Sequence, residues 1–221
     1  MRAVVLAVLI WASVSCVSCA SLRSALDDEG SAEQAQRLLA STVKIAIVMK
    51  GGLTGAGSGF VAAPSLVLTA AHVCYSAISL NVIAFTGETS RARVVLMDVE
   101  SDVCALRTEV AVGFPARIAA QDPPTGAHVI AVSGPRGIFG KGLGIVQDWR
   151  WAGRGEFPNG RSGAIYAGVG AAGSSGGPVF YRGQVIGSIT ALLSDYNIGG
   201  PVVGASLDSL RQARDTALTV P

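Results

Sequence analysis

The sequence predicts an all-β protein, a β-barrel or a β-sandwich, and three observations favour that class. Glycine and proline are frequent, with 28 and 9 of the 221 residues, and they recur along the whole chain, as turns do. Short apolar runs of strand length lie between them. Half of the residues are hydrophobic and only 14% are charged, which suits a buried core and argues against disorder.

The elements can be predicted in order. A short helix is expected over 31–40, with Ser31 as its N-cap and Gln34 at the capping-box position. A proline-rich stretch, 114–128, connects two halves that each carry a series of short strands. A terminal helix is expected over 207–218, where apolar residues recur at helical spacing. The predicted strand segments are 41–50, 57–73 with a break at Pro64, 79–85, 91–99, 102–108, 127–134, 142–149, 163–169, 177–183, 183–190 and 200–206.

The first twenty residues have the layout of a signal peptide. Arg2 precedes an uncharged apolar run, and small residues end at Ala20, the expected cleavage site. The run is just long enough to span a bilayer, so a membrane anchor is the alternative. Lipidation of Cys16 or Cys19 is a second alternative, although neither has a leucine-like residue three positions earlier. We expect a secreted or periplasmic protein, in contact with a membrane only if this segment is uncleaved or lipidated.

Composition also limits the partners. A formal net charge of +2 gives no reason to expect nucleic acid. We expect no cofactor and no bound metal, and the sequence does not indicate an oligomeric state. After removal of residues 1–20, the cysteines that remain are Cys74 and Cys104. Export would permit a disulfide between them, and two buried thiols are the alternative.

Three polar residues could form a nucleophilic site. His72 follows a predicted strand, Asp102 opens an apolar run, and Ser175 lies among glycines in "GSSGGPV". A serine hydroxyl is a weak nucleophile, so an imidazole must take its proton and a carboxylate must orient that imidazole. Glycine beside the serine lets backbone N–H groups point at a developing oxyanion. The order His, Asp, Ser is one of several that such hydrolases use.

Four segments together resemble the chymotrypsin-like (trypsin-fold) serine proteases, and within them the bacterial trypsin-like and HtrA-type branch. They are "GSGF" at 57–60, "LTAAHV" at 68–73, "DVCAL" at 102–106 and "GSSGGPV" at 173–179. The resemblance implies a protease domain over 41–221, after an N-terminal segment 21–40. We expect no PDZ domain, since no residues remain for one. It implies two six-stranded antiparallel β-barrels, at about 41–115 and 125–206, with the site between them.

The resemblance also assigns roles. In the family's G-x-S-G-G-P signature the nucleophile is the second residue after the first glycine, which is Ser175 and not Ser174. Its oxyanion donors correspond to the N–H groups of Gly173 and Ser175. Asp102 is preferred to Asp98 because the family's carboxylate opens an apolar run, whereas Asp98 is followed by the polar "ESD" at 100–102 after Val99.

The implied function is an exported serine endopeptidase that works through an acyl-enzyme on protein or peptide substrates. The alternative is a protease-fold binding protein without turnover. The family's primary pocket corresponds to Val169, Thr190, Ala191 and Leu192, none of which is charged. We therefore expect small or medium apolar residues before the scissile bond, since a charged side chain would enter unpaired.

Other polar and aromatic residues have plainer interpretations. His128, in a strand-like segment, is predicted to be structural. Residues 148–163 show little strand pattern and are predicted to be a loop, in which Trp149 and Trp151 either line the substrate cleft or leave one tryptophan tucked beneath. Ser174 occupies the position where digestive relatives carry an acidic partner for a new amino terminus. We therefore expect local hydrogen bonds to order the oxyanion loop, with the Ser174 hydroxyl as a candidate.

Overall fold

The computed structural model describes residues 31–134, 145–156, 162–168, 172–192 and 202–221. The first part contains α1 (Ser31–Ser41), β1 (Thr42–Met49), β2 (Thr54–Ala63), β3 (Leu66–Thr69), the one-turn helix α2 (Ala71–Cys74), β4 (Ala77–Ala84), β5 (Thr89–Asp98) and β6 (Val103–Thr108). The second part contains β7 (His128–Ser133), β8 (Ile145–Glu156), β9 (Ser162–Ala167), β10 (Pro178–Tyr181), β11 (Gln184–Ser188), β12 (Ala191–Leu192), β13 (Val202–Gly204) and α3 (Leu207–Thr219). The predicted signal peptide and Val169 lie outside the described residues.

The first six strands form a closed antiparallel barrel in the order β1-β2-β3-β6-β5-β4. Its sequence alternates as a half-buried strand requires: Val43, Ile45 and Ile47 of β1 are buried, and Lys44 between them is not fully buried. These residues join an apolar cluster with Val67 of β3 and other inward-facing side chains. The first barrel of the predicted pair is therefore confirmed.

The second half forms a sheet in the order β11-β10-β7-β8-β9-β13-β12. The strands at its two edges, β11 and β12, are consecutive in the chain and separated only by Ile189 and Thr190. If β11 and β12 are counted as one interrupted strand, the sheet has six strands, and this one strand lies at both of its edges. This is how a second barrel closes, as the resemblance implied.

Another apolar cluster joins the two halves. It contains Phe60 and Leu68 of the first barrel, Val132 and Phe180 of the second, and Leu210 of α3. The Ser206 hydroxyl caps α3 by accepting a hydrogen bond from the N–H of Ser209 at 3.2 Å, a contact typically worth about 1 kcal/mol. The cluster holds the barrels in one arrangement, so residues at the seam between them can act together.

The predicted loop over 148–163 is wrong for its first part. Residues up to Glu156 belong to β8, which pairs with β7 and β9, and 157–161 lie outside the described residues. Trp149 and Trp151 are buried and pack against the Tyr166 ring, with centroid distances of 5.9 and 5.4 Å. Both tryptophans therefore fill the core of the second barrel, and the interpretation as a cleft wall is wrong.

Within the ranges that the structure describes, no helix is both long and apolar enough to cross a membrane.

Candidate active site

His72 lies in α2, directly after β3, and its side chain is about half exposed at 48%. Its Nδ1 is 2.9 Å from Asp102 Oδ2 and 3.1 Å from Oδ1. The backbone N–H of His72 also donates to Asp102 Oδ1 at 2.9 Å. One carboxylate thus holds both the ring and the backbone of the same residue, which leaves Nε2 as the ring nitrogen on the side away from Asp102.

The strand register explains why these two residues meet. Thr69, the last residue of β3, pairs with Cys104 of β6. His72 lies three residues after Thr69, just past the end of β3, and Asp102 lies two residues before Cys104, just before the start of β6. Cys74 and Cys104 form a disulfide, with their Cα atoms 6.7 Å apart. The bond therefore links the segment that carries His72 to the segment that carries Asp102.

The backbone at Asp102 is left-handed, with a φ of 52°. Few non-glycine residues adopt this conformation, and aspartate and asparagine tolerate it best. Such outliers cluster at functional sites, where the surrounding structure maintains them. Asp98 plays a different part: its Oδ1 accepts the N–H groups of Glu100 and Ser101 at 3.0 and 3.1 Å and so shapes the turn before Asp102. The choice of Asp102 over Asp98 agrees with this geometry.

Ser175 lies in the turn that precedes β10. The next residue, Gly176, has a φ of +83°, and a Cβ there would come within 2.2 Å of Thr69 Oγ1 and 2.7 Å of the Ala70 nitrogen. Only glycine permits so close an approach. The turn therefore packs directly on the end of β3, just before His72. Sequence positions that are a hundred residues apart meet at the seam between the barrels.

Two backbone N–H groups of this turn have no acceptor among the described residues. The N–H of Gly176 donates to Ile189 O and that of Gly177 to Ser174 O, at 2.6 and 2.9 Å. Within the described part of the chain, the N–H groups of Gly173 and Ser175 have no protein acceptor. Since a buried or half-buried N–H normally finds a partner, two free donors in one turn are suited to an anion.

An open depression of about 460 Å³ lies beside His72 and Asp102. Thr190, from the break between β11 and β12, lines it, and its Oγ1 is buried without a partner among the described residues. Tyr75 and Val99 line it as well, and they are 73% and 61% exposed. The sequence patterns did not indicate these two residues. The available signal was their position, since Tyr75 follows His72 by three and Val99 precedes Asp102 by three.

Only some of the other predicted pocket residues belong to the described part of the chain. Ala191 and Leu192 form β12 and pair with Val203 and Val202 of β13. Val169 lies outside the described residues. The described residues contain no cluster of His, Cys, Asp or Glu that could hold a metal ion. His128 lies in β7, where its Nδ1 is 3.1 Å from Asp148 Oδ1 in the neighbouring strand.

A closed antiparallel barrel and a second antiparallel sheet, with polar side chains at the seam between them, form a fold of the trypsin-like class. The chain belongs to the trypsin-like peptidase domain family, which it matches over residues 57–187, more than half of its length. It is thus a member of a protease family, whose substrates are proteins or peptides. No curated protein matches the chain in sequence.

Solved structures share the fold at low sequence identity. The Rv3671c protease from M. tuberculosis, in its active form, superposes with a TM-score of 0.73 at 23% identity, and the match covers 85% of each chain. The HtrA-type protease AlgW with tripeptide superposes with a TM-score of 0.75 at 19% identity, covering 85% of this chain and 63% of AlgW. The chain therefore spans less than two thirds of AlgW.

Proposed function

We propose that this protein is an exported serine endopeptidase with Ser175 as nucleophile, His72 as general base and Asp102 as the residue that orients His72. The observation that carries the proposal is the contact of His72 Nδ1 with both carboxylate oxygens of Asp102. A proton on Nδ1 is held there, so the lone pair of Nε2 is available to accept the proton of a serine hydroxyl.

The reaction then follows from the residues. Ser175 Oγ attacks the peptide carbonyl carbon as its proton passes to His72 Nε2. The carbonyl oxygen becomes an oxyanion that the N–H groups of Gly173 and Ser175 stabilise. His72 returns the proton to the leaving amine, which departs and leaves an acyl-enzyme. Water, deprotonated by His72, attacks the ester in the same way and releases the acid and free Ser175.

We propose that the substrate residue before the scissile bond is small or medium and apolar. The residues that correspond to the family's primary pocket, Val169, Thr190, Ala191 and Leu192, carry no charge. Of these, Thr190 lines the depression beside His72. A charged substrate side chain would lose water without gaining a partner. Cleavage of a peptide library should be dominated by Ala, Val or Leu at this position, and a profile dominated by Arg, Lys or Glu would contradict the proposal.

Export is the third component of the proposal. It rests on Arg2, the apolar run that follows and the small residues up to Ala20. The Cys74–Cys104 disulfide supports it, because such bonds persist in oxidising compartments. The test is amino-terminal sequencing of protein recovered from the extracellular or periplasmic fraction. A start at residue 21 is expected, and a retained leader in a membrane fraction would favour an anchor.

Labelling with a fluorophosphonate tests the catalytic assignment. This probe reacts with an activated serine and not with an ordinary hydroxyl. Wild type should label, Ser175→Ala should not, and Ser174→Ala should still label because its hydroxyl lies beside the nucleophile and is not the reacting group. Peptide mapping should place the adduct on Ser175. A wild-type protein that folds but does not label would indicate a binding protein without turnover.

A further inference from the structure

Ser58 is a buried residue of β2 that the proposed reaction does not use. Its Oγ donates to the carbonyl of Gly173 at 2.7 Å and accepts the N–H of Gly134 at 2.9 Å. Its own N–H donates to the carbonyl of Ser175 at 2.7 Å. A single residue of the first barrel therefore holds two carbonyl groups of the turn that carries the nucleophile, which belongs to the second barrel.

These contacts determine where the backbone N–H of Ser175 points. The carbonyls of Gly173 and Ser175, on either side of it, are both fixed by Ser58. The peptide between Ser174 and Ser175 is fixed as well, because Ser174 O accepts the N–H of Gly177 at 2.9 Å. In a planar trans peptide the N–H points opposite to the C=O. The Ser175 N–H is therefore directed away from Gly177 and out of the turn.

The turn needs such anchors because a glycine does not restrict its own backbone to one conformation. Gly173 has a φ of +96°, a region that glycine enters and leaves at little cost. A rotation there would turn the Gly173–Ser174 peptide, and the Ser58 hydroxyl opposes that rotation by holding the Gly173 carbonyl. Loss of this hydrogen bond would widen the range of orientations that the two free N–H groups sample.

A second hydroxyl contact supports the same turn. Ser174 is buried, and its Oγ lies 2.9 Å from Ser133 Oγ at the end of β7. Ser133 is followed by Gly134, whose N–H is bonded to Ser58. The hydroxyls of Ser174 and Ser58 thus contact two consecutive residues of the second barrel, 133 and 134. The expectation that local hydrogen bonds order this loop, including that of Ser174, agrees with this geometry.

We propose that Ser58 is a positioning residue for acyl transfer. Its hydroxyl fixes the Gly173 carbonyl, and with it the Gly173–Ser174 peptide that lies between the N–H groups of Gly173 and Ser175, and so limits both donors to the orientation that stabilises the oxyanion. This inference rests on the proposed function, since it assumes that Ser175 is the nucleophile. It adds a role for a side chain whose partners, Gly134 and Gly173, are far from it in sequence.

The test compares Ser58→Ala with Ser90→Ala by the kinetics of fluorophosphonate labelling. Ser90 is a matched control: it is buried in the first barrel, and its Oγ also makes one donor and one acceptor contact with backbone, to Arg91 O and Val110 N. The saturation kinetics separate the reversible affinity of the probe, KI, from the rate of the bond-forming step, kinact. The phosphoryl oxygen of the probe occupies the place of the oxyanion, so a misplaced N–H lowers kinact.

For Ser58→Ala we expect kinact to fall roughly 10- to 100-fold, because removing an oxyanion donor outright costs about 10²–10³, while KI changes less than about twofold. Ser90→Ala should lower the melting temperature by a similar amount and leave kinact unchanged. Equal kinact values in the two variants would overturn the inference. If wild type itself does not label, the proposed function fails, and that result is distinct from the failure of this inference.

Ser58→Cys provides a second variant should Ser58→Ala fail to fold. The thiol nearly keeps the shape of the side chain but is a weak donor and a weak acceptor. The expected result is again a lower kinact with an unchanged KI, measured against Ser90→Cys. A kinact equal to that of wild type in Ser58→Cys would overturn the inference as well.

Discussion

The protein contains two histidine–aspartate pairs that look alike locally and differ in their surroundings. His72 contacts Asp102 at 2.9 Å, and His128 contacts Asp148 at 3.1 Å. The first histidine is 48% exposed, lies on a one-turn helix at the seam between the barrels and has the Ser175 turn packed beside it. The second is 21% exposed and lies within the ladder between β7 and β8.

The comparison shows that a histidine held by a carboxylate does not by itself make a catalytic site. Both pairs fix a ring by the same chemistry. Only the first combines this with an accessible ring and a neighbouring turn that contains Ser175 and two N–H groups without an acceptor among the described residues. The second crosses two neighbouring strands, and such pairs stabilise a sheet by a fraction of a kcal/mol to about 1 kcal/mol. The position in the fold therefore separates the two roles.

The largest expected effect is the difference between the two histidines. His72→Ala should lower kcat/KM on the peptide found in the library experiment by roughly 10⁴- to 10⁶-fold, because the general base is lost. His128→Ala should leave kcat/KM within about threefold and should lower the free energy of unfolding by about 1–3 kcal/mol, since Asp148 loses a partner. Equal losses of activity in the two variants would contradict the proposed roles.

The two aspartates give the next largest difference. Asp102→Asn should lower kcat by about 10⁴-fold, since an amide does not hold the ring tautomer that leaves Nε2 free. Asparagine tolerates the left-handed backbone at this position almost as well as aspartate, so the fold should persist. Asp148→Asn should change kcat by less than about threefold. Circular dichroism of both variants checks the fold, and a fully active Asp102→Asn would rule out the orienting role.

The disulfide is a further difference, because only the first pair has one beside it within the described residues. Replacing Cys74 and Cys104 together by alanine should lower the free energy of unfolding by about 3–4 kcal/mol, given the 30-residue separation. The labelling rate per folded molecule should fall less than tenfold, because the β3–β6 register still places His72 beside Asp102. Urea denaturation with and without reductant measures the change. Two free thiols in wild type recovered from the extracellular or periplasmic fraction, detected by alkylation and intact mass, would contradict the bond itself.

The residues proposed to react were easier to select from the sequence than the residues that contact them. His72, Asp102 and Ser175 each lie in a short local motif, so their types and spacing were informative. Ser58 lies in the "GSGF" segment, but its partners Gly134 and Gly173 are 76 and 115 residues away, and no local pattern identifies them. Tyr75 and Val99 were missed because their importance depends on how the barrels meet.

The later part of β8, beyond the predicted strand at 142–149, was missed for a similar reason. The sequence of β8, IVQDWRWAGRGE, contains glycines and arginines that weaken the alternating pattern of a strand. What makes it a strand is pairing with β7 and β9 on both sides, together with burial of Trp149 and Trp151 against Tyr166. Such tertiary support overrides local propensity and cannot be read from one segment.

The smallest expected effect concerns Tyr166, in the core of the sheet that carries His128 and Asp148. Burial raises the pKa of its phenol, and the charge of Asp122 raises it further. In the unfolded chain a tyrosine ionises near pH 10. Above that pH the unfolded state binds fewer protons than the folded state, so the free energy of unfolding falls as pH rises.

Tyr166→Phe removes this contribution: between pH 10 and 11 wild type should lose about 1 kcal/mol more stability than the variant. Urea denaturation at the two pH values measures the difference, and labelling at neutral pH should proceed at the wild-type rate. A parallel loss of stability in both proteins would show that the phenol is not held neutral, whereas a slowed labelling rate would show that the second sheet contributes to more than stability.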